Sequence, residues 1–142
     1  VGVELDLQTD VPSWKAIALG DTCLLHLRQG ALLKSLPLCR SESFGSAPVL
    51  VASDSSMHEA CMKSVVIDSG SCESGDVLLL LSDGVASWYL ERFEKEEYMP
   101  SDFFETKEDD ELKRFFDDER LAGRMRNDDV AVLRIEIKRR MS

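Results

Sequence analysis

The longest uninterrupted apolar run is Val77-Leu78-Leu79-Leu80-Leu81, bounded by Gly75-Asp76 before it and Ser82-Asp83-Gly84 after it. A run this short, flanked by turn residues, predicts a strand buried on both faces. Elsewhere the pattern alternates. Val3, Leu5 and Leu7 interleave with Glu4 and Asp6, which reads as a half-buried strand ended by Pro12. Residues 14–19, 22–28 and 31–36 read as three more strands, joined at Gly20-Asp21 and at Gln29-Gly30. Glycine supplies the positive φ of tight turns, so the first third predicts an antiparallel meander with a hairpin at Gly20-Asp21. Residues 65–67 read as a short strand followed by a polar turn over 69–74. At the far end residues 130–137 alternate, with Val130, Val132, Arg134 and Glu136 on one side and Ala131, Leu133, Ile135 and Ile137 on the other.

The helical period governs the rest. Residues 57–63 predict a short helix after a Ser-rich loop over 40–56. Residues 85–97 predict a longer one with Val85, Ala86, Tyr89 and Phe93 on one face, and residues 107–122 another carrying Leu112, Phe115, Phe116 and Ala122. Gly123 is placed to end it. With 142 residues, 44% of them hydrophobic, the chain has the size of one ordinary domain and enough apolar side chains for a core. No segment is long and apolar enough to predict a transmembrane helix, and the start lacks the features of a signal peptide. It opens without Met and inside a strand-like pattern, so the expectation is that residues 1–142 form the C-terminal part of one larger domain.

Charge narrows the function classes. The formal net charge is −10, which repels phosphate backbones and argues against nucleic-acid binding. Residues 91–119 hold 13 acids against 5 bases. A solvated helical face is the ordinary explanation; a docking face for a basic protein partner at helix 107–122 is the alternative. Cys23, Cys39, Cys61 and Cys72 form no CxxC pair, and His26 and His58 are the only histidines. That leaves no spacing for a structural zinc site. Free thiols fit a cytoplasmic location.

Three acidic positions stand at element ends. Asp21 lies at the predicted hairpin, Asp83 directly follows the buried strand, and Asp128 closely precedes the last one. Carboxylates at the rim of a sheet can converge on a cleft and hold a hard divalent cation through oxygen ligands. Each also has an ordinary reading, since Asp caps helices and stabilises turns.

The residues around these three positions carry more. Ala18-Leu19-Gly20-Asp21-Thr22, then Gly75-Asp76 through Ser82-Asp83-Gly84, then Arg126-Asn127-Asp128-Asp129-Val130-Ala131-Val132 occur in this order. Intervals of 62 residues separate Asp21 from Asp83 and 45 separate Asp83 from Asp128. Together they resemble the metal-dependent protein phosphatase 2C family, over roughly residues 14–137, and the Arg-Asn-Asp-Asp-Val form looks like its bacterial branch. The resemblance implies an α+β fold of two packed antiparallel β-sheets flanked by helices, an αββα sandwich. It implies a cytoplasmic Ser/Thr protein phosphatase that hydrolyses phosphoprotein monoesters with water activated by Mg2+ or Mn2+, two per site in the full domain. A non-catalytic regulatory or protein-interaction module on the same fold, a pseudophosphatase, is the alternative. Carried over by position, Asp83 and Asp128 match metal ligands, Gly84 adjoins one of them, and Asp21 matches an Asp that helps hold a third, looser cation. Ser87 stands where many members have a further Asp for that third cation. The family's upstream Asp-Gly motif, a further acidic ligand and its phosphate-binding Arg have no counterpart in the chain, so these 142 residues alone are expected to be inactive.

Overall fold

The computed structural model describes residues 1–45, 58–95, 104 and 108–138, with the side chains of His58 and Ala60 left aside. Among the described residues there are seven strands and three α-helices: β1 (Gly2–Asp6), β2 (Ser13–Ala18), β3 (Cys23–Arg28), β4 (Ala31–Leu36), α1 (His58–Lys63), β5 (Val66–Ser71), β6 (Val77–Leu81), α2 (Asp83–Glu94), α3 (Asp109–Leu121) and β7 (Val132–Glu136). All strand pairings are antiparallel. They build a three-stranded sheet, β1-β2-β5, and a four-stranded sheet, β4-β3-β6-β7.

Two apolar layers follow from strand alternation. Trp14, Ala16 and Ala18 of β2 point across to Leu24 of β3 and Leu78 of β6, which closes the space between the sheets. The opposite faces of β3 and β6, with Cys23, Leu25, Leu27, Val77, Leu79 and Leu81, pack against Val85, Ala86, Trp88, Tyr89 and Leu90 of α2 and Phe116 of α3. β6 therefore lies buried between the sheet-sheet and sheet-helix layers, as its continuous apolar run predicts. The fold is α+β, two packed antiparallel sheets with helices.

Three local expectations change. Gly20-Asp21 is no hairpin: β2 pairs with β1 and β5 while β3 pairs with β4 and β6, so this corner carries the chain from one sheet to the other. Gly20 still needs its positive φ of 87°. Residues 69–71 belong to β5, because the strand continues in register with β2 to Ser13–Ser71. Their polar side chains reflect an open outer face. Gly70 lies opposite Trp14, and a Cβ there would fall 2.8 Å from Trp14 Nε1. On the helices Phe93 is 39% exposed, and α3 buries Glu119 where Ala122 was expected. α3 does end at Gly123, whose φ is 69°. Its N–H bonds to Arg120 O and that of Arg124 to Glu119 O, the paired bonds of a glycine helix stop. Residues 46–56 of the loop predicted over 40–56, and Pro100, lie outside the described residues.

Candidate metal centre

Strand register brings the three aspartates to one rim. In the four-stranded sheet Cys23 pairs with Leu81, and Leu81 with Val132. The start of β3, the end of β6 and the start of β7 are therefore neighbours. Asp21 stands two residues before Cys23, Asp83 two residues after Leu81, and Asp128 four residues before Val132.

Ser82 links the last two. It precedes α2 in extended geometry, with ψ of 158°, and makes no side-chain cap. Its hydroxyl instead donates to Asp129 O at 2.9 Å and accepts from the N–H of Ala131 at 3.1 Å. The residue just before Asp83 thus anchors the segment that carries Asp128. Gly84 supplies the clearance: a Cβ on it would meet Asp128 Cβ at 3.2 Å and Met125 Cε at 3.7 Å. Asp83 is the first residue of α2, so the helix-cap alternative falls to Ser82 by position and to no side chain by hydrogen bonding.

The electrostatics follow from the crowding. Burial raises the Asp83 carboxyl above its ordinary value. The N–H of Gly84 opposes the rise, and the charges of Asp128 and Asp21 add to it. Asp128 also lies close enough to share a hydrogen bond with the protonated form of Asp83. Asp128 itself is exposed, and its Oδ1 accepts the N–H of Asp129 at 2.8 Å. Asp21 is half-buried and acts on Asp83 only through its charge. Nearby, burial pushes the Cys23 thiol up to about 11, so it is an inert core group.

This donor set fits a hard divalent cation in kind: adjacent carboxylate oxygens, with the Asp128 charge adding to the cost of ionising Asp83. It is short in number. Among the described residues no group of three His, Cys, Asp or Glu side chains is arranged to hold a metal. Asp83 and Asp128 come together, Gly84 makes room for them, Asp21 stands further off, and Ser87 on α2 adds no carboxylate.

Two buried polar clusters escaped the sequence pattern. At the opposite end of β6, Asp76 is wholly buried and accepts Arg28 through Nε at 2.8 Å and Nη2 at 2.9 Å. Its Oδ2 also lies 2.9 Å from His26 Nε2. His26 Nδ1 accepts the Trp14 indole N–H at 3.2 Å, which puts the proton on Nε2, facing Asp76. Despite burial, the Arg28 guanidinium, the Glu73 N–H and His26 hold the Asp76 carboxyl well below the usual range. This network ties β2 to β3 far from the aspartate rim. The second cluster centres on Glu119 of α3, which accepts Trp88 Nε1 at 3.0 Å, Arg92 Nη2 at 2.5 Å and Arg124 Nη2 at 2.7 Å. Chiefly through Arg124, its carboxyl falls to about 2. Each was hidden because a charged residue at an element end looks the same in sequence whether buried or not.

No family model matches the sequence, and no curated protein matches it. Among solved structures, the chain is similar to the phosphatase domain of the cell fate determinant SpoIIE from Bacillus subtilis, with a TM-score of 0.54 and 15% identity. The match covers 99% of this chain and 58% of that one, so the chain spans under two thirds of the domain it resembles. The fold is therefore that of a protein phosphatase 2C-like domain. No helix among the described residues is long and apolar enough to cross a membrane.

Proposed function

We propose that residues 1–142 are the C-terminal part of a metal-dependent protein phosphatase 2C-like domain that hydrolyses phosphoserine and phosphothreonine in proteins. The observation that carries this reading is the convergence of Asp83 and Asp128 beside Gly84, on a fold shared with a phosphatase domain. In this reading Asp83 and Asp128 hold Mg2+ or Mn2+, two per site in the full domain, and Asp21 faces a third, looser position. The remaining ligands and the phosphate-binding Arg come from the part of the domain that the neighbour has and this chain does not span. Bound cations supply an acidified water and neutralise charge on the phosphoryl oxygens. The chain's own residues do the positioning: Ser82 fixes the Asp128 segment against Asp83, and Gly84 lets the two carboxylates approach. The proposed setting is cytoplasmic and bacterial, with phosphorylated protein as substrate. The solvent-facing acids of α3, Asp109, Asp110, Glu111 and Asp118, form the face a basic protein partner would meet.

One observation favours a second reading. The described residues hold no three-ligand group, which is what a non-catalytic module on this fold would also look like. Phosphopeptide hydrolysis by the complete protein separates the two. Mn2+-dependent turnover that disappears in Asp83→Asn and in Asp128→Asn supports the enzyme, with Asp129→Asn close to wild type. No turnover in the wild type, or full turnover in Asp83→Asn, contradicts it.

A further inference from the structure

Asp128 sits in the irregular segment between Leu121 and Val132, and its side chain is exposed. No strand or helix fixes its backbone. Ser82 tethers the segment on the strand side, through Asp129 and Ala131. On the other side the tether is Arg120, in the last turn of α3. Its Nη2 donates to the carbonyl oxygen of Asp128 itself, and its Nη1 is held by Asp117 Oδ1 at 2.9 Å.

That helix end is firmly placed. One residue earlier, Glu119 is 5% exposed and gathers Trp88 and Arg92 from α2 and Arg124 from the segment beyond Gly123. Phe116 is buried against the same layer, edge-on to Trp88. Arg120 therefore extends from a helix end that cannot easily shift. Its guanidinium joins a carboxylate on its own helix to a backbone carbonyl eight residues on. Its Nε is buried with no partner among the described residues, a desolvation cost that surface arginines avoid.

We propose that Arg120 is a positioning residue for the metal centre: by holding the Asp128 carbonyl it sets the Asp128 carboxylate against Asp83 and so sets the affinity for the divalent cation. The proposal rests on the reading of Asp83 and Asp128 as metal ligands. Groups that orient metal ligands typically change affinity by roughly 10–100-fold when removed.

The test is calorimetric titration of Mn2+ alone into the metal-free complete protein, with thermal melts of the same samples. Arg120→Met is expected to weaken Mn2+ binding by about 10-fold or more, with a metal-free melting temperature near that of wild type. Arg120→Lys, whose ammonium can still donate to the carbonyl, is expected to recover most of the loss. Asp117→Asn, which leaves the guanidinium in place but loosens its anchor, is expected to weaken binding in the same direction and by less. Should Arg120→Met fail to fold, the Asp117→Asn comparison decides. Wild-type affinity in Arg120→Met, or in Asp117→Asn where that comparison decides, overturns the proposal while loss of binding in Asp128→Asn keeps the metal centre. Wild-type affinity in Asp128→Asn overturns the metal centre and the proposal with it.

Discussion

Two glycines show how much depends on single positions. Gly70 lies under Trp14, which is wholly buried and fixed by its bond to His26. An added methyl would fall within 3.0 Å of three indole atoms, and the ring has nowhere to go. Gly70→Ala is expected to cost about 2 kcal/mol in chemical denaturation, the usual scale of overpacking. At Gly84 the contact is looser: an added methyl would meet Asp128 Cβ at 3.2 Å, which a shift of a few tenths of an ångström in the Asp128 side chain relieves. Gly84→Ala is expected to change stability by under roughly 1 kcal/mol and yet weaken Mn2+ binding by displacing Asp128. Equal stability losses in the two variants, with unchanged Mn2+ affinity in the second, would show that Gly84 serves packing alone. The sequence marks Gly84, because it follows Asp83 in a recognisable turn. It does not mark Gly70, because the need for glycine there comes from a side chain 56 residues away in sequence.

Among the elements, those with a single dominant period were the readable ones. β6 is apolar throughout and proves to be the strand buried in both layers. β7 alternates and divides its residues between those layers, Val132 towards the helices and Ile135 towards the other sheet. The corner at Gly20-Asp21 was misread because a positive φ is needed equally by a hairpin and by a crossover between sheets. Only the pairing partners distinguish them. α3 was misread at Glu119, one acid among many on a helix that looks solvated. Its value of about 2 lies below its ordinary 4.5, so the ion cluster contributes stability above pH 4.5. That contribution is lost as pH falls from 4.5 through about 2. Glu119→Gln is therefore expected to cost about 3 kcal/mol at pH 7, as for a broken buried pair, and little at pH 2. Guanidinium melts at the two pH values check this. A penalty that does not shrink in acid would mean that the side chain's shape matters more than its charge.

At the scale of the molecule, the sandwich and the aspartate rim were legible and the completeness of the site was not. Three weak motifs in a fixed order pointed to the fold, and strand register explains why they meet: β3 starts, β6 ends and β7 starts at one rim. The periodicity of a sequence marks where strands and helices bury their faces, not how many ligands a site has, and among the described residues no third carboxylate joins Asp83 and Asp128. The three-stranded sheet leaves apolar side chains open on its outer face. Ile17 and Ile67 pair across β2 and β5 on its outer face and are 53% and 75% exposed. The central claim is that Asp83 and Asp128 together hold a divalent cation. The most direct measurement is anomalous X-ray scattering from crystals of the complete protein grown with Mn2+. A peak within roughly 2.0–2.6 Å of a carboxylate oxygen from each of Asp83 and Asp128 is the predicted result. Well-ordered Asp83 and Asp128 side chains with no anomalous peak between them would contradict it.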